Sequence, residues 1–223
     1  MVQASLAPSA NVPGASVPGG NTAPSLADEQ REVARARILR AAGIALAARG
    51  LTATVDDVAE AAGVSRRTIF RHFATRDALF VAVIRAGIRR YAEQIPAPPD
   101  DDLRGWLAEL LMVTHRLNAR NGRVFWDLVG LRAEDLSPDL AMVAAECRDS
   151  RNRFAADVTG LMWRARGGPG LPPQWLVDAV AVHLSGFTTQ SLAGDLDRTP
   201  EQVARVSAHV IEAALASALA RQA

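Results

Sequence analysis

Five polar side chains within seven residues have the chemistry to read a nucleic acid: Arg66, Arg67, Thr68, Arg71 and His72, with no acid among them. A guanidinium presents a flat fork of donors that fits two phosphate oxygens, or the O6 and N7 of guanine. Such a set is useful only if something holds it out of the core at one angle. Val64, Ile69 and Phe73 give the same stretch an apolar face. Ahead of it, Val55, Val58, Ala59 and Ala62 recur at helical spacing until Gly63-Val64-Ser65 breaks the pattern. Gly63 suits the left-handed end of one helix, and Ser65 can accept from the free amides of the next. Residues 54–73, TVDDVAEAAGVSRRTIFRHF, therefore read as two short helices joined by a tight turn. The second presents arginines outward, as the major groove of DNA requires. A helical corner with a solvated charged face is the alternative. The coincidence of turn, small residue, apolar face and arginines weighs against it.

Residues 38–80 extend the pattern. Ile38-Leu39 with Ala41-Ala42, Gly50, Thr54, Ala62-Gly63-Val64-Ser65, Phe70, His72-Phe73, and Arg76 followed by Leu79-Phe80 resemble the DNA-binding domain of the tetracycline-repressor (TetR) family of bacterial regulators. The resemblance covers roughly a fifth of the chain. It implies a homodimer on double-stranded DNA with a palindromic operator, and a variable helical domain for a small-molecule effector. Arg66, Arg67 and Thr68 lie early on the second helix and are the candidates for base edges. By the family pattern and by geometry, Thr54, Phe70, Arg71, His72 and Arg76 position the DNA backbone, and Ser65 completes the set. Two positions depart from the family. Phe70 stands where a phosphate-contacting tyrosine is usual, and Arg67 where a small residue or lysine is commoner.

Charge follows the same division. Residues 28–95 hold 12 Arg against 8 Asp or Glu, residues 96–223 hold 13 Arg against 16, and the net charge is only +1. A basic segment beside a mildly acidic one fits nucleic acid at one end. There is no lysine. The single cysteine, Cys147, excludes an internal disulfide and fits a reducing compartment. No apolar run approaches the ~20 residues that span a bilayer, and the N-terminus lacks the features of a secretory signal. A cytoplasmic protein without a membrane partner is expected.

The elements behind these residues read as all-α, about nine helices. Residues 1–27 read as a flexible tail, 28–80 as a three-helix helix-turn-helix domain, and 81–223 as a larger helical domain for ligand binding and dimerisation. The boundary falls inside a fourth helix that runs from Thr75 to about Ile95. Asp100, Asp101 and Asp102 open a fifth helix, which Asn121-Gly122 interrupts, leaving a short sixth helix over 124–131. Ser137-Pro138 starts a seventh, reaching about 166. An eighth spans about 174–193, and Thr199-Pro200-Glu201 starts a ninth. The eighth and ninth are apolar nearly all round, so they are expected to form a homodimer interface.

No catalytic or metal constellation emerges: the four histidines are scattered, and neither a phosphate loop nor a nucleophile elbow is present. No enzyme activity and no cofactor are expected. A ligand pocket is better supported, with Trp106, Leu110, Phe125, Trp126, Phe154, Trp175 and His183 as candidate lining residues. Arg151 interrupts an apolar stripe, Leu140, Val143, Cys147, Arg151, Phe154, Val158. It either meets an anionic group on the ligand, pairs with an acid such as Asp127 or Asp178, or snorkels outward. The competing class is a ligand-binding or catalytic helical protein whose basic face is incidental.

Overall fold

Local capping chemistry sets most helix starts. Ser25 accepts the Asp28 N–H at 3.2 Å and opens α1 (Leu26–Arg49). Thr54 and Asp57 form a reciprocal capping box at α2 (Val55–Ala62). Ser65 accepts the Thr68 N–H at 3.1 Å at α3 (Arg66–His72), and Thr75 accepts the Ala78 N–H at 3.0 Å at α4 (Arg76–Gln94). Asp102 does the same for α5 (Leu103–Gly130), Ser137 for α6 (Pro138–Ala165) and Thr199 for α9 (Pro200–Ala220). Between the last two lie α7 (Gln174–His183) and α8 (Gly186–Gln190). Each such cap is worth about 1 kcal/mol. This computed structural model describes residues 25–221, apart from the side chains of residues 121–123, 125, 126, 129 and 133. The expected tail over 1–27 lies almost entirely outside them. Among the described residues the fold is all-α, with nine α-helices.

The helix count agrees with expectation, but two boundaries do not. α5 runs unbroken through Asn121 and Gly122, so there is no separate helix over 124–131. A helix-interior glycine costs only about 1 kcal/mol. Against that, Leu107, Leu110, Leu111 and Leu117 are buried on one half of α5 and Leu128 on the other. The helix expected over 174–193 is divided. Ser185 adopts an extended backbone; its hydroxyl donates to Val182 O at 2.6 Å and accepts the Thr188 N–H at 3.3 Å, so it caps a new helix. A π-helical turn at Ser191–Asp195 follows α8.

Two apolar cores result. One gathers Ile38, Leu46, Val58, Ile69, Leu79 and Phe80 from α1–α4, and also takes Leu128 from α5 and Leu140 and Val143 from α6. The other joins Trp106, Leu110, Phe154, Trp163, Val180 and Ile211, from α5, α6, α7 and α9. α9 packs most extensively on α5. Contrary to the sequence expectation, α9 is long and apolar enough to cross a membrane by length and composition, with a mean hydropathy of 1.4. Within the fold, Val203, Ser207, Ile211 and Leu215 are buried, and Glu201 and Glu212 are held by Arg116 and Arg166.

Candidate nucleic-acid interface and ligand cavity

Gly63 ends α2 at φ 60°, ψ 41°, the left-handed conformation that a side chain disfavours. The turn it makes carries Ser65 directly into α3. Ile69 is fully buried and Phe73 nearly so, under Arg35 of α1, whose guanidinium lies 5.1 Å from the Phe73 ring centre. Full burial of an isoleucine is worth roughly 1.5–3 kcal/mol. It fixes the roll of α3 and leaves Arg66, Arg67, Phe70 and Arg71 exposed, with Thr68 half-buried beside them.

Arg66 reaches back to Asp56 at 3.1 Å, two residues from the exposed Thr54, so the starts of α2 and α3 share one surface. Arg67 and Arg71 have no ion-pair partner among the described residues. Two expected backbone contacts have other surroundings. Arg76 donates from Nε to Ala53 O at 3.0 Å, and its other nitrogens bond Leu51 O and Asp77. It braces the turn ahead of α2. His72 is half-buried with Nε2 lacking a partner. Burial lowers its pKa, and Arg71, Arg31 and Arg35 lower it further, which disfavours the charged ring.

The second feature is a cavity of about 380 Å³ walled by α4, α5, α6 and the α7–α8 junction. Its apolar walls include Ile88, Leu128, Phe154, Leu184 and Phe187, and its polar edges include Tyr91, Asn118, Arg148, Arg151 and Asn152. Burial pushes the Tyr91 phenol up to about 12, so the hydroxyl stays protonated. Burial also pushes the Cys147 thiol on this wall up to about 11. One turn from the cavity, Arg85 of α4 clamps Glu146 of α6 through two bonds of 3.1 and 2.7 Å.

Of the sequence candidates, Arg151 and Phe154 line this cavity. Trp106 and Leu110 are in the second core instead, with Trp106 Nε1 donating to Pro96 O at 2.9 Å. Trp175 is partly exposed, with the Arg221 guanidinium 5.7 Å from its ring centre. The side chains of Phe125 and Trp126 lie outside the described residues. His183 joins a buried polar chain. Its Nδ1 is 3.2 Å from Ser207 Oγ, which is 3.2 Å from His115 Nε2; His115 Nδ1 is 2.7 Å from Thr189 Oγ1, which also accepts from Asn118. Ile88, Tyr91 and Leu128 were not anticipated. Ile84, Ile88 and Tyr91 do form a helical stripe on α4, within the residues assigned to the ligand-binding domain.

The two acids proposed as structural partners for Arg151 are engaged elsewhere. Asp127 Oδ2 accepts the Leu51 N–H at 2.7 Å, and Asp178 accepts from Gln174 at 2.9 Å. Among the described residues no group of three or more His, Cys, Asp or Glu could hold a metal ion.

No curated protein sequence matches the chain. Solved structures of similar fold include two transcriptional regulators. One is a protein of Pseudomonas aeruginosa PAO1 described as a transcriptional regulator, 19% identical, with a TM-score of 0.63 over 85% of this chain and 94% of that one. The other is the transcriptional regulator FadR from Bacillus subtilis in complex with stearoyl-CoA, 16% identical, with a TM-score of 0.58 over 81% of this chain and 97% of that one. Residues 38–83, which contain the whole helix-turn-helix and its exposed arginines, match the bacterial regulatory proteins of the tetR family. Residues 38–83 thus form a helix-turn-helix domain of the kind found in the bacterial regulatory proteins of the tetR family.

Proposed function

We propose that the protein is a homodimeric repressor that binds a palindromic operator through α3 and leaves it when a small, mostly apolar effector fills the cavity. The observation that carries the reading is the division of α3. Ile69 is fully buried on one side, and Arg66 and Arg67 stand exposed at the helix start on the other. Residues 28–80 form the reading head, and 81–223 the ligand-binding and dimerisation unit.

The dimer forms through α7, α8 and α9. Val182, Phe187, Val206 and Val210 are all exposed large apolar side chains on these helices, which a second copy would remove from water. Two-fold symmetry then sets the two recognition helices about 34–36 Å apart, one turn of duplex. Arg66 and Arg67 read base edges, while Thr54, Ser65, Phe70 and Arg71 meet the backbone.

An effector pressing on Ile88 and Tyr91 would displace α4 against the Arg85–Glu146 clamp and move the reading heads off groove spacing. Shifting occupancy from nearly all bound to nearly all free takes about 5.5 kcal/mol of differential affinity. The complex of FadR with stearoyl-CoA supports a small-molecule effector in this fold. The protein acts in the cytoplasm as a regulator rather than an enzyme.

The test is selection of binding sites from randomised duplex DNA by the purified full chain at physiological salt. A recovered palindrome is expected. Failure of a folded dimer to enrich any sequence would favour a ligand-binding or catalytic protein with an incidental basic face.

A further inference from the structure

Arg151 occupies an unusual place. It interrupts the apolar stripe of α6, is half-buried, and lines the cavity together with Arg148 one turn earlier. No Asp or Glu among the described residues lines that cavity. The acids that the sequence offered as partners have other bonds, Asp127 to Leu51 and Asp178 to Gln174, and Glu146 of the same helix is clamped by Arg85. A desolvated guanidinium without a counter-charge is costly unless something supplies one. Desolvation lowers the Arg151 pKa, Cys147 opposes the shift and Arg148 adds to it, yet an arginine remains charged. The remainder of the cavity is mainly apolar, from Ile88 and Leu128 to Phe154 and Leu184.

We propose that the cavity takes a single-headed apolar acid, with the carboxylate on the Arg151 guanidinium and the hydrocarbon body against Ile88, Leu128, Phe154 and Leu184. Arg151 is then the residue that sets specificity for the effector, and Arg148 adds positive potential at the same end. A carboxylate matches the guanidinium fork with two parallel bonds, which a neutral alcohol cannot. The volume of about 380 Å³ is at the small end of ligand sites. It suits a chain of about ten carbons rather than a ligand that must also bury a nucleotide. This inference rests on the cavity being the effector site.

Calorimetry on the full chain tests it, with decanoate, 1-decanol and decanoyl-CoA as probes. In the wild type, decanoate is expected to bind at least about tenfold tighter than decanol, as a charge-assisted bond pair implies. It should also bind more tightly than the thioester. Arg151→Met should abolish the preference for the acid while still binding decanol, which also reports that the cavity is intact. Arg151→Gln replaces it if the methionine variant does not fold. Equal affinity for acid and alcohol in the wild type, a preference that survives loss of Arg151, tighter binding of the thioester, or no binding of decanoate would each overturn the proposal. The same samples are titrated with the selected duplex in the absence of ligand. Operator binding without an acid preference removes only this inference. An acid preference without operator binding removes the regulator reading and leaves the chemistry of the cavity standing.

Discussion

Asp127 of α5 accepts the main-chain N–H of Leu51 at 2.7 Å, tying the helix that walls the cavity to the turn entering the helix-turn-helix. Its neighbour Leu128 lines the cavity and is buried in the N-terminal core. Asp127 also lies in the last turn of α5, where the helix dipole disfavours a carboxylate. Its hydrogen bond to Leu51 is the compensating interaction. Asp127→Ala leaves a part-buried N–H without its acceptor and should cost about 1–2 kcal/mol of unfolding free energy. Asp127→Asn keeps an acceptor oxygen and should lose less. Chemical denaturation of both variants checks this, and equal stability of Asp127→Ala and wild type would remove the link.

The buried chain around His115 predicts a stability that falls in acid. Burial, with His183 nearby, pushes the His115 pKa down to about 4, and burial lowers that of His183 as well. The unfolded histidine, near its ordinary value of 6.5, binds the proton more readily than the folded one. Stability is therefore full above about pH 6.5 and declines as pH falls toward 4, by roughly 3 kcal/mol at most from His115. Denaturation midpoints between pH 7.5 and pH 4.5 (about the span of this titration) should show the fall. His115→Gln should flatten it. An unchanged slope in that variant would place the pH response elsewhere.

The dimer face gives a sharper outcome. Val206 and Val210 lie one helical turn apart on α9, both exposed in the isolated chain. Val210→Asp sets a charge in the proposed interface at little cost to the monomer core. Sedimentation velocity should show a dimer for the wild type and a monomer for the variant, with operator affinity lost alongside. A wild-type monomer, or a variant that stays dimeric, would refute the assignment of this face.

Arg66 and Arg67 should differ in character. Arg66 already has Asp56 at 3.1 Å, an exposed pair of low worth, about 0–1 kcal/mol, that must open for the side chain to meet DNA. Arg67 has no such partner among the described residues. Arg67→Ala should cost about 1–3 kcal/mol of operator affinity and relax preference at one base pair. Arg66→Ala should cost less. Repeating the site selection with each variant measures both effects, and an unchanged preference with Arg67→Ala would show that Arg67 reads no base.

What was legible in the sequence was the chemistry that acts over a few residues. Thr54, Ser65, Thr75 and Thr199 cap their helices because a short hydroxyl reaches an amide three residues on. Gly63 has the left-handed conformation that its position requires. The errors arise where distant residues decide. Asn121-Gly122 looks like a break, but burial at both ends of α5 carries the helix through. Ser185 looks like an interruption in an apolar run, yet its bonds to Val182 and Thr188 divide the helix. Trp106 looked like a ligand contact until Pro96 O took its indole N–H. The cavity draws Tyr91, Leu128, Arg151 and Leu184 from three helices and the α7–α8 junction, spread over nearly a hundred residues, and no local pattern announces that meeting. Arg151 was visible as an anomaly on its stripe. Its surroundings emerged only when Asp127 and Asp178 proved to be bonded elsewhere.

The most direct measurement is fluorescence anisotropy of two labelled duplexes, the selected palindrome and a scrambled sequence of equal composition, titrated with the full chain at physiological salt. A DNA-reading dimer should bind the palindrome at least about a thousandfold more tightly. Equal affinity for the two duplexes would contradict sequence-specific reading by α3 and reduce its arginines to a basic surface.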